Sequence, residues 1–369
     1  MKRRIFLATA AAAPAGRAVS QRAPSSNERI GVAFIGVRTR GSALLKDALP
    51  IEQADIRVLC DIDDRRIAAA RGIVASGGRP APESVKDWRA VLERRDVQAV
   101  VSALPVNLHA RNYLDVIAAG KDLYAEKPLC LTPAECRAIV TAAHRSRQIV
   151  QVGFQRRADP RVAETVRRVQ NGELGELIEG RILWSIGATW GPRLGDFGKR
   201  AISGDWMVEQ AVHNWDVVNW ACRCRPVSSF GLGNNKLFRD LQPERDVHDY
   251  YSAVVEYENG LIVNILHSWI AGTKFNDEYT RIAGTKGMVD FNTGVISYHH
   301  LQKKSDPPPP AYGNLNSTRL ALEAFFDSVR TRKPPVATVE HGRDAVLTCL
   351  LVRDSVYRRR HVKMAEVTG

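Results

Sequence analysis

The sequence lacks several features that would assign it to a specialised class of protein. It has no apolar run of the roughly 18 to 20 residues that a membrane-spanning helix needs, and it has no internal repeat. Its formal net charge of +13 is spread along the chain, without a basic helix or a basic patch interleaved with aromatics. We therefore expect neither a membrane span nor nucleic-acid binding. With 369 residues, 44% hydrophobic and 25% charged, the chain can form two globular domains.

Cysteine is also scarce and is not arranged for a structural role. The six cysteines contain no Cys-x-x-Cys pair, and Cys222 and Cys224 are too close in sequence to bridge easily. This excludes the usual zinc-site spacing and a disulfide framework. We expect free thiols and no bound metal.

The first 20 residues differ from the rest of the chain. Arg3 and Arg4 precede an apolar, Ala-rich stretch that ends in small residues near Ala18 and Ser20. This layout is typical of a secretory signal, and the paired arginines favour the twin-arginine route. We expect the protein to be exported, for example to the periplasm. The alternative is an uncleaved basic terminus on a cytoplasmic protein.

Residues 29–154 alternate between apolar runs and helical patterns. The pattern predicts strands over 29–36, 55–61, 98–104, 122–126 and 149–154, and helices over 41–49, 64–75, 85–94, 109–119 and 132–147. Strands that alternate with helices in this way form a parallel sheet with helices on both faces. The first domain is therefore predicted to be α/β.

The pattern changes after residue 154. A helix over 161–170, a long strand over 177–188 and an apolar helix over 208–220 precede a series of alternating strands at 228–234, 250–257, 261–269, 279–284, 287–292 and 295–300. Strands joined by short turns indicate an antiparallel or mixed sheet. The proline-rich stretch 303–314 is predicted to be a loop, and helices over 318–329 and 340–357 close the chain.

The first strand leads into a short loop typical of dinucleotide sites. Gly36-Val37-Arg38-Thr39-Arg40-Gly41 has the first and third glycines of Gly-x-Gly-x-x-Gly between a strand and a helix. Arg38 replaces the second glycine, whose absence of a side chain normally lets the backbone approach the pyrophosphate. Its guanidinium could pair with a phosphate instead. We therefore assign Gly36, Arg38, Arg40 and Gly41 to the cofactor loop.

An acidic residue at the end of the second strand indicates the type of cofactor. Asp61 lies where a carboxylate hydrogen-bonds the adenosine ribose of NAD, and it would repel the additional phosphate of NADP. NAD is therefore favoured, although Arg38, Arg65 and Arg66 could weaken that preference. The alternative role of Asp61 is to cap the following helix.

Two further segments carry groups suited to acid–base chemistry. Glu126-Lys127-Pro128 follows a parallel strand, at the edge where such sheets bind ligands. The segment VEQAVHNWDVVNW (208–220) places Glu209, His213 and Asp216 at spacings of four and three, so that on one helix they share a face. A buried structural histidine is the alternative interpretation of His213.

Four segments resemble the Gfo/Idh/MocA family of NAD(P)-dependent oxidoreductases, to which glucose–fructose oxidoreductase and inositol dehydrogenase belong. They are YAEKPLCLT (124–132), QVGFQRR (151–157), VEQAVHNWDVVNW (208–220) and EHGRDAVLTCLLVRDSVY (340–357). The resemblance implies a Rossmann domain over 29–154, and over 155–369 an α/β domain with a large open, mostly antiparallel sheet. It also implies homodimers or homotetramers, sugar or polyol substrates, and no metal.

The resemblance also implies roles for individual residues. Lys127 and His213 match the family's acid–base pair, and Glu209 lies where the inositol dehydrogenases have an aspartate. The cofactor-facing segments correspond to Leu104, Pro105 and His109, to Glu126 and Lys127, and to Gln155. The expected substrate contacts are Lys127, Arg156, Trp206, Glu209, His213 and Asp216. Trp190 is a further aromatic candidate for stacking on a sugar ring.

Three hypotheses on function follow. The first is an NAD-dependent dehydrogenase that oxidises a secondary hydroxyl of a sugar or polyol, with His213 as the base and Lys127 stabilising the developing alkoxide. The second is a redox-neutral glycosidase or lyase that retains its NAD and forms a keto-sugar transiently. The third is a sugar- or NAD-binding protein without catalysis.

Overall fold

The computed structural model describes residues 29–187 and 195–369. The predicted export signal at residues 1–20 and the candidate Trp190 lie outside the described residues, so both remain predictions. Within the described part, no helix combines the length and apolar character needed to cross a membrane. The same residues contain no group of three or more His, Cys, Asp or Glu side chains arranged to hold a metal ion.

The first domain is built around a six-stranded parallel sheet, which confirms the predicted fold class. Its strands are β1 (Ile30–Ile35), β2 (Ala54–Cys60), β3 (Glu83–Val85), β4 (Ala99–Ser102), β5 (Asp122–Ala125) and β6 (Val150–Val152). Their order in the sheet is β3-β2-β1-β4-β5-β6. The helices are α1 (Thr39–Ala48), α2 (Asp64–Ser76), α3 (Trp88–Leu92), α4 (His109–Ala118) and α5 (Pro133–Arg145).

Most element boundaries in this domain follow from local chemistry. All six residues of β1 are buried, as expected for a strand covered by helices on both faces. Helix α5 begins with a capping box, in which Thr132 and Glu135 satisfy each other's backbone amides, and with Pro133 in its first turn. The predicted helix over 85–94 is wrong at its start. Val85 ends strand β3, and α3 begins after its N-cap, Asp87.

The second domain contains an eight-stranded mixed sheet. Its strands are β7 (Leu177–Gly187), β8 (Pro226–Asn234), β9 (Tyr250–Tyr257), β10 (Ile262–Ala271), β11 (Asp277–Gly284), β12 (Gly287–Asp290), β13 (Val295–Tyr298) and β14 (Val362–Lys363). The order is β13-β12-β11-β7-β10-β9-β8-β14. Only the central β7–β10 pair is parallel among the described pairings, so the sheet is mostly antiparallel, as expected.

The helices of the second half lie mainly against one face of this sheet. They are α6 (Pro160–Gln170), α7 (Arg200–Ser203), α8 (Trp206–Glu209), α9 (Val212–Cys222), α10 (Ser317–Thr331), α11 (Val339–Arg358) and α12 (Met364–Thr368). Helices α9 and α11 contact each other, α9 also contacts β7 and β11, and α11 contacts β8 and β9. The buried side chains of α9, α11 and the sheet join those of β4, β5 and α5 in one continuous core.

The predicted continuous helix over 208–220 is wrong, because it is divided at Gln210. Helix α8 ends at Glu209 and α9 begins at Val212. The side-chain oxygen of Gln210 lies 3.0 Å from Nε2 of His267 on β10, so a tertiary contact holds the break. Glu209 and His213 therefore belong to different helices, and their convergence cannot be derived from helical spacing alone.

Helix α10 belongs spatially to the first domain, although the predicted boundary at residue 154 assigned it to the second. Its apolar face, which includes Leu322, Phe325 and Phe326, packs with residues of β1 and α1 in the second core cluster. The side-chain amide of Gln151 on β6 donates to the carbonyl of Ala321 at 2.7 Å. The chain thus returns to cover the first sheet, so the first domain contains residues from both halves of the sequence.

Gly41 in α1 and Gly72 in α2 differ in how much space surrounds them. A Cβ at Gly41 in α1 would lie 1.8 Å from the carbonyl oxygen of Gly36, whereas one at Gly72 in α2 would meet nothing within 4 Å. We expect Gly41→Ala to lower the free energy of unfolding by about 1 to 3 kcal/mol through overpacking. Gly72→Ala should raise it by up to about 1 kcal/mol, because alanine favours the helix.

Urea denaturation of both variants and the unmodified protein measures this difference. Equal unfolding midpoints for Gly41→Ala and Gly72→Ala would contradict the close contact between Gly41 and the Gly36 carbonyl.

Candidate active site

A cavity of about 710 Å³ lies at the carboxyl ends of β1, β2 and β4. It brings together five of the residues predicted to bind the cofactor: Gly36, Arg38, Asp61, Leu104 and Pro105. Ligands bind at this edge of open α/β sheets, where the strand order changes direction. The sequence-predicted loop and the ribose-binding acid therefore share one cavity.

The loop before α1 fits a pyrophosphate. Gly36 has a positive φ of 79°, and a Cβ there would lie 2.6 Å from the carbonyl oxygen of Ala103. Helix α1 begins after Arg38 without a side-chain cap and without an acidic residue in its first turn. Its first backbone amides are thus free to bind an anion, and the exposed Arg38 guanidinium can add a charge-assisted bond.

Asp61 is held in place beside this loop. One carboxylate oxygen accepts the backbone N–H of Val37 at 2.9 Å and the other accepts that of Asp63 at 3.0 Å. The residue that caps α2 is Asp63, which accepts the amide of Arg65, so the alternative role of Asp61 as the helix cap is wrong. Each Asp61 oxygen retains a lone pair for a ribose hydroxyl.

Three of the residues predicted to bind the cofactor form hydrogen bonds within the protein: Arg40, Glu126 and His109. Nε of Arg40 donates to Glu126 at 2.8 Å, and the other Glu126 oxygen accepts the backbone N–H of Lys127 at 3.1 Å. Glu126 is only 2% exposed. The imidazole of His109 lies between two carbonyl oxygens, 2.7 Å from that of Pro128 and 2.9 Å from that of Leu104. The polar groups of Glu126 and His109 are engaged within the protein, so the structure does not support direct cofactor contacts by these two residues. Nη2 of Arg40 is buried without a hydrogen-bond partner in the described structure, so a cofactor contact by Arg40 remains a prediction.

The Lys127 side chain crosses from the first domain to the second. Its ammonium donates to Oε1 of Glu209 at 2.6 Å and to the Glu209 backbone carbonyl at 2.7 Å. Both side chains are mostly buried. A lysine has three N–H donors, so one remains for a substrate oxygen. The pairing of Lys127 with Glu209 therefore brings two predicted catalytic residues together at the junction of the domains.

His213 lies beside this pair in an uncharged state at neutral pH. Burial lowers its pKa well below the ordinary value, and the positive charges of Lys127, Arg156 and Arg40 lower it further. Among the described residues its ring nitrogens have no hydrogen-bond partner, and Nδ1 is buried. The ring instead packs edge-on against Phe154, with the centroids 6.1 Å apart. Neither Glu209 nor Asp216 therefore forms a hydrogen bond with the imidazole.

Asp216 is not available to a substrate, in contrast to the prediction. Nε of Arg157 donates to both of its oxygens, at 2.9 and 3.0 Å, and Nη2 lies 2.8 Å from Oδ1. The two side chains are no more than 4% exposed. Burial raises the pKa of Asp216, and the Arg157 charge opposes that rise. This buried ion pair fixes α9 to the turn that follows β6.

Neighbouring residues of that turn have different roles. Arg156 pairs with Glu278 on β11, and its positive charge helps to lower the pKa of His213. The side-chain oxygen of Gln155 is buried without a hydrogen-bond partner in the described structure, which leaves it available to a ligand. A nicotinamide contact by Gln155 and a substrate contact by Arg156 remain predictions.

Trp206 is a packing residue, which corrects its assignment as a platform for a sugar ring. It is 4% exposed and its ring lies against Trp269, with the centroids 4.9 Å apart. Phe238 and Val247 complete this buried cluster.

Two positioning residues, Gln210 and Arg157, could not be identified from the sequence. Gln210 interrupts the predicted helix through His267, and Arg157 neutralises Asp216. The available signal was weak: an arginine pair at 156–157 and a carboxylate in an otherwise apolar helix both suggested a buried partner. Neither pattern identified which partner.

Comparison with known protein families agrees with this geometry. Residues 30–154 match "Oxidoreductase family, NAD-binding Rossmann fold", and residues 162–290 match "GFO/IDH/MocA C-terminal domain". The two matches lie in the family order; the first contains all six strands of the first sheet, and the second contains β7 to β12 of the second sheet.

Curated relatives include dehydrogenases and glycosidases. The chain is 22% identical over 357 residues to myo-inositol 2-dehydrogenase of Thermotoga maritima, covering 92% of this chain and 100% of that protein. It is 26% identical to scyllo-inositol 2-dehydrogenase (NAD(+)) of Bacillus subtilis, covering 67% and 72%. A glycosyl hydrolase family 109 protein of Shewanella pealeana is 27% identical, covering 52% of this chain and 47% of that protein.

Solved structures share the fold. Scyllo-inositol dehydrogenase from Lactobacillus casei, with bound NAD(H) and scyllo-inositol, superposes with a TM-score of 0.76 at 19% identity, covering 91% of this chain and 99% of that one. The motifs, the two sheets and the two family matches agree. The chain belongs to the GFO/IDH/MocA family of oxidoreductases, and its first domain is the NAD-binding Rossmann fold of that family.

Proposed function

We propose that this protein is an NAD-dependent dehydrogenase that oxidises a secondary hydroxyl of an uncharged sugar or polyol. The observation that carries the proposal is the position of the Lys127 ammonium, bound to two oxygens of Glu209 and close enough to His213 to lower its pKa. The inositol dehydrogenases among its relatives support the same substrate class.

The charges of the cleft favour a neutral substrate. Each cation that acts on His213 has a carboxylate partner: Lys127 pairs with Glu209, Arg156 with Glu278, and Arg40 with Glu126. Little positive charge therefore remains to attract an anionic substrate. Hydroxyl groups can donate to the Glu209 carboxylate and accept from the third Lys127 N–H.

His213 and Lys127 have different roles in activating the hydroxyl. The lowered pKa of His213 keeps its imidazole uncharged at neutral pH. In this form the imidazole can accept the hydroxyl proton. The same lowered pKa makes it a weak base, so Lys127 must stabilise the negative charge that develops on the oxygen. Bound NAD supplies the acceptor for the hydride released from the carbon.

A second candidate function is a redox-neutral cleavage of glycosides, with NAD retained and regenerated. The match to a glycosyl hydrolase family 109 protein favours it, although that match spans 47% of the relative's length. Both functions begin with the same oxidation of a hydroxyl. They differ in whether reduced cofactor accumulates.

The test is incubation of the purified protein with NAD and a panel of inositols, free sugars and glycosides. We expect NADH absorbance to rise with a free polyol or sugar. Release of the aglycone without NADH would instead select glycoside cleavage. Saturable binding without either product would contradict both.

Lys127→Met provides the internal control for that assay. We expect kcat to fall by about 10²- to 10⁴-fold, because the alkoxide loses its stabilising charge, while NAD binding in the first-domain cavity is retained. Lys46→Met, which changes an exposed lysine of α1, should leave kcat within about twofold. Comparable activity of Lys127→Met and Lys46→Met would exclude the proposed role.

We also propose that the free face of the second sheet forms a homo-oligomer. Five exposed apolar side chains lie on this face: Phe230, Leu232, Val254, Ile262 and Leu266. The strand registers place them together, since Phe230 pairs with Val254, and Leu232 and Leu266 both pair with Ser252. A contiguous apolar face of this kind marks an interaction surface.

Light scattering coupled to size exclusion measures the assembly. We expect a mass of at least twice the 40.9 kDa of one chain, and a smaller particle for the double variant Val254→Glu/Leu266→Glu. Leu301→Glu, at an exposed position outside the sheet, is the control and should leave the mass unchanged. A monomeric unmodified protein would contradict the proposal.

A further inference from the structure

The described structure contains a second cavity that is larger than the nucleotide site. It has a volume of about 980 Å³ and lies between α5, the carboxyl end of α9, α11 and the last residues of the chain. The buried Arg157–Asp216 pair and Trp220 form part of its wall. Lys127, Glu209 and His213 are not among the residues that line this cavity, although Asp216 lies one helical turn after His213. The volume suits a small organic ligand.

The cations around this cavity differ from those of the catalytic cleft. Four of them form no ion pair with a carboxylate within the described residues: Arg137, Arg223, Arg225 and Lys363. Two of the three acids that line the cavity are already neutralised, since Asp216 pairs with Arg157 and Asp344 with Arg343. The third, Glu258, is exposed, as are these four cations. The four positive charges outnumber the one lining carboxylate that is unpaired among the described residues. The cavity therefore carries a local excess of positive charge.

We propose that this cavity is a second ligand site, which binds a small organic anion through its phosphate or carboxylate groups. Arg223 and Arg225 are the principal contacts. The planar guanidinium of arginine binds both kinds of oxyanion with two parallel hydrogen bonds. Arg223 uses one nitrogen to donate to Gln170 at 2.7 Å, which orients the group and leaves other donors free. The Arg225 side chain has no partner in the described structure.

The buried ion pair in the wall is not the anion site. Arg157 makes three contacts with Asp216, and its guanidinium also lies 4.7 Å above the Trp220 ring. To bind an external anion, Arg157 would have to leave a buried partner, which strongly disfavours that exchange. The half-buried Trp220 ring instead offers an apolar surface for the body of the ligand. Its indole also provides a fluorescent reporter inside the cavity.

Binding is tested on the NAD-saturated protein, so that the nucleotide site is already filled. Pyrophosphate and citrate serve as probes in separate titrations by calorimetry, which distinguishes a phosphate from a carboxylate ligand. We expect at least one probe to bind. The double variant Arg223→Gln/Arg225→Gln should weaken that binding by about 10- to 100-fold, because charge-assisted hydrogen bonds are lost.

Arg111→Gln is the matched control, since Arg111 is an exposed arginine of α4 outside both cavities. It should bind the probe as the unmodified protein does. The probe should also change the tryptophan fluorescence, and Trp220→Phe should remove that change. Absence of binding at millimolar concentrations, or equal weakening by Arg111→Gln and the double variant, would overturn the proposal. A fluorescence change that persists in Trp220→Phe would place the probe elsewhere and overturn it as well.

Discussion

The contact between Lys127 and Glu209 is the constraint on which the proposed catalytic site depends. Lys127 follows β5 of the first sheet, while Glu209 ends α8 of the second domain, so this pair joins the two halves of the protein at the site of chemistry. A lysine that is only 13% exposed requires compensation for its charge. Glu209 provides it with a carboxylate and a carbonyl oxygen. The adjacent His213 stays uncharged at neutral pH and is the proposed acceptor of the hydroxyl proton.

Contacts among the surrounding residues fix the position of Lys127. Glu126 accepts the Lys127 amide and is itself held by Arg40, so a buried ion pair supports the start of the segment. His109 bridges the carbonyls of Leu104 and Pro128, which connects the loop after β4 to the same segment. Precise positioning of a catalytic group depends on such supporting contacts. Arg40, Glu126 and His109 therefore help to position Lys127, and a further cofactor contact by Nη2 of Arg40 remains a prediction.

Local patterns in the sequence determined much of the fold, because alternation and periodicity are properties of short segments. The parallel first sheet, the mixed second sheet and the cavity around Gly36 and Asp61 follow from such patterns together with turn chemistry. Long-range partners could not be predicted in this way. Arg157 pairs with Asp216 across 59 positions, and His267 contacts Gln210, where the helix is divided, across 57. The sequence likewise does not predict which of the two sheets helix α10 packs against, because both sheets offer an apolar surface.

The proposed mechanism requires that Lys127 and His213 share one electrostatic environment. Nuclear magnetic resonance titration of labelled histidine, with His213→Asn to assign the signal, measures the pKa of His213 in the unmodified protein and in Lys127→Met. We predict that His213 remains uncharged well below pH 6.5 in the unmodified protein, because burial and nearby cations disfavour its charged form. Its pKa should rise in Lys127→Met. An ordinary pKa, or one that is unchanged by the substitution, would contradict a shared site.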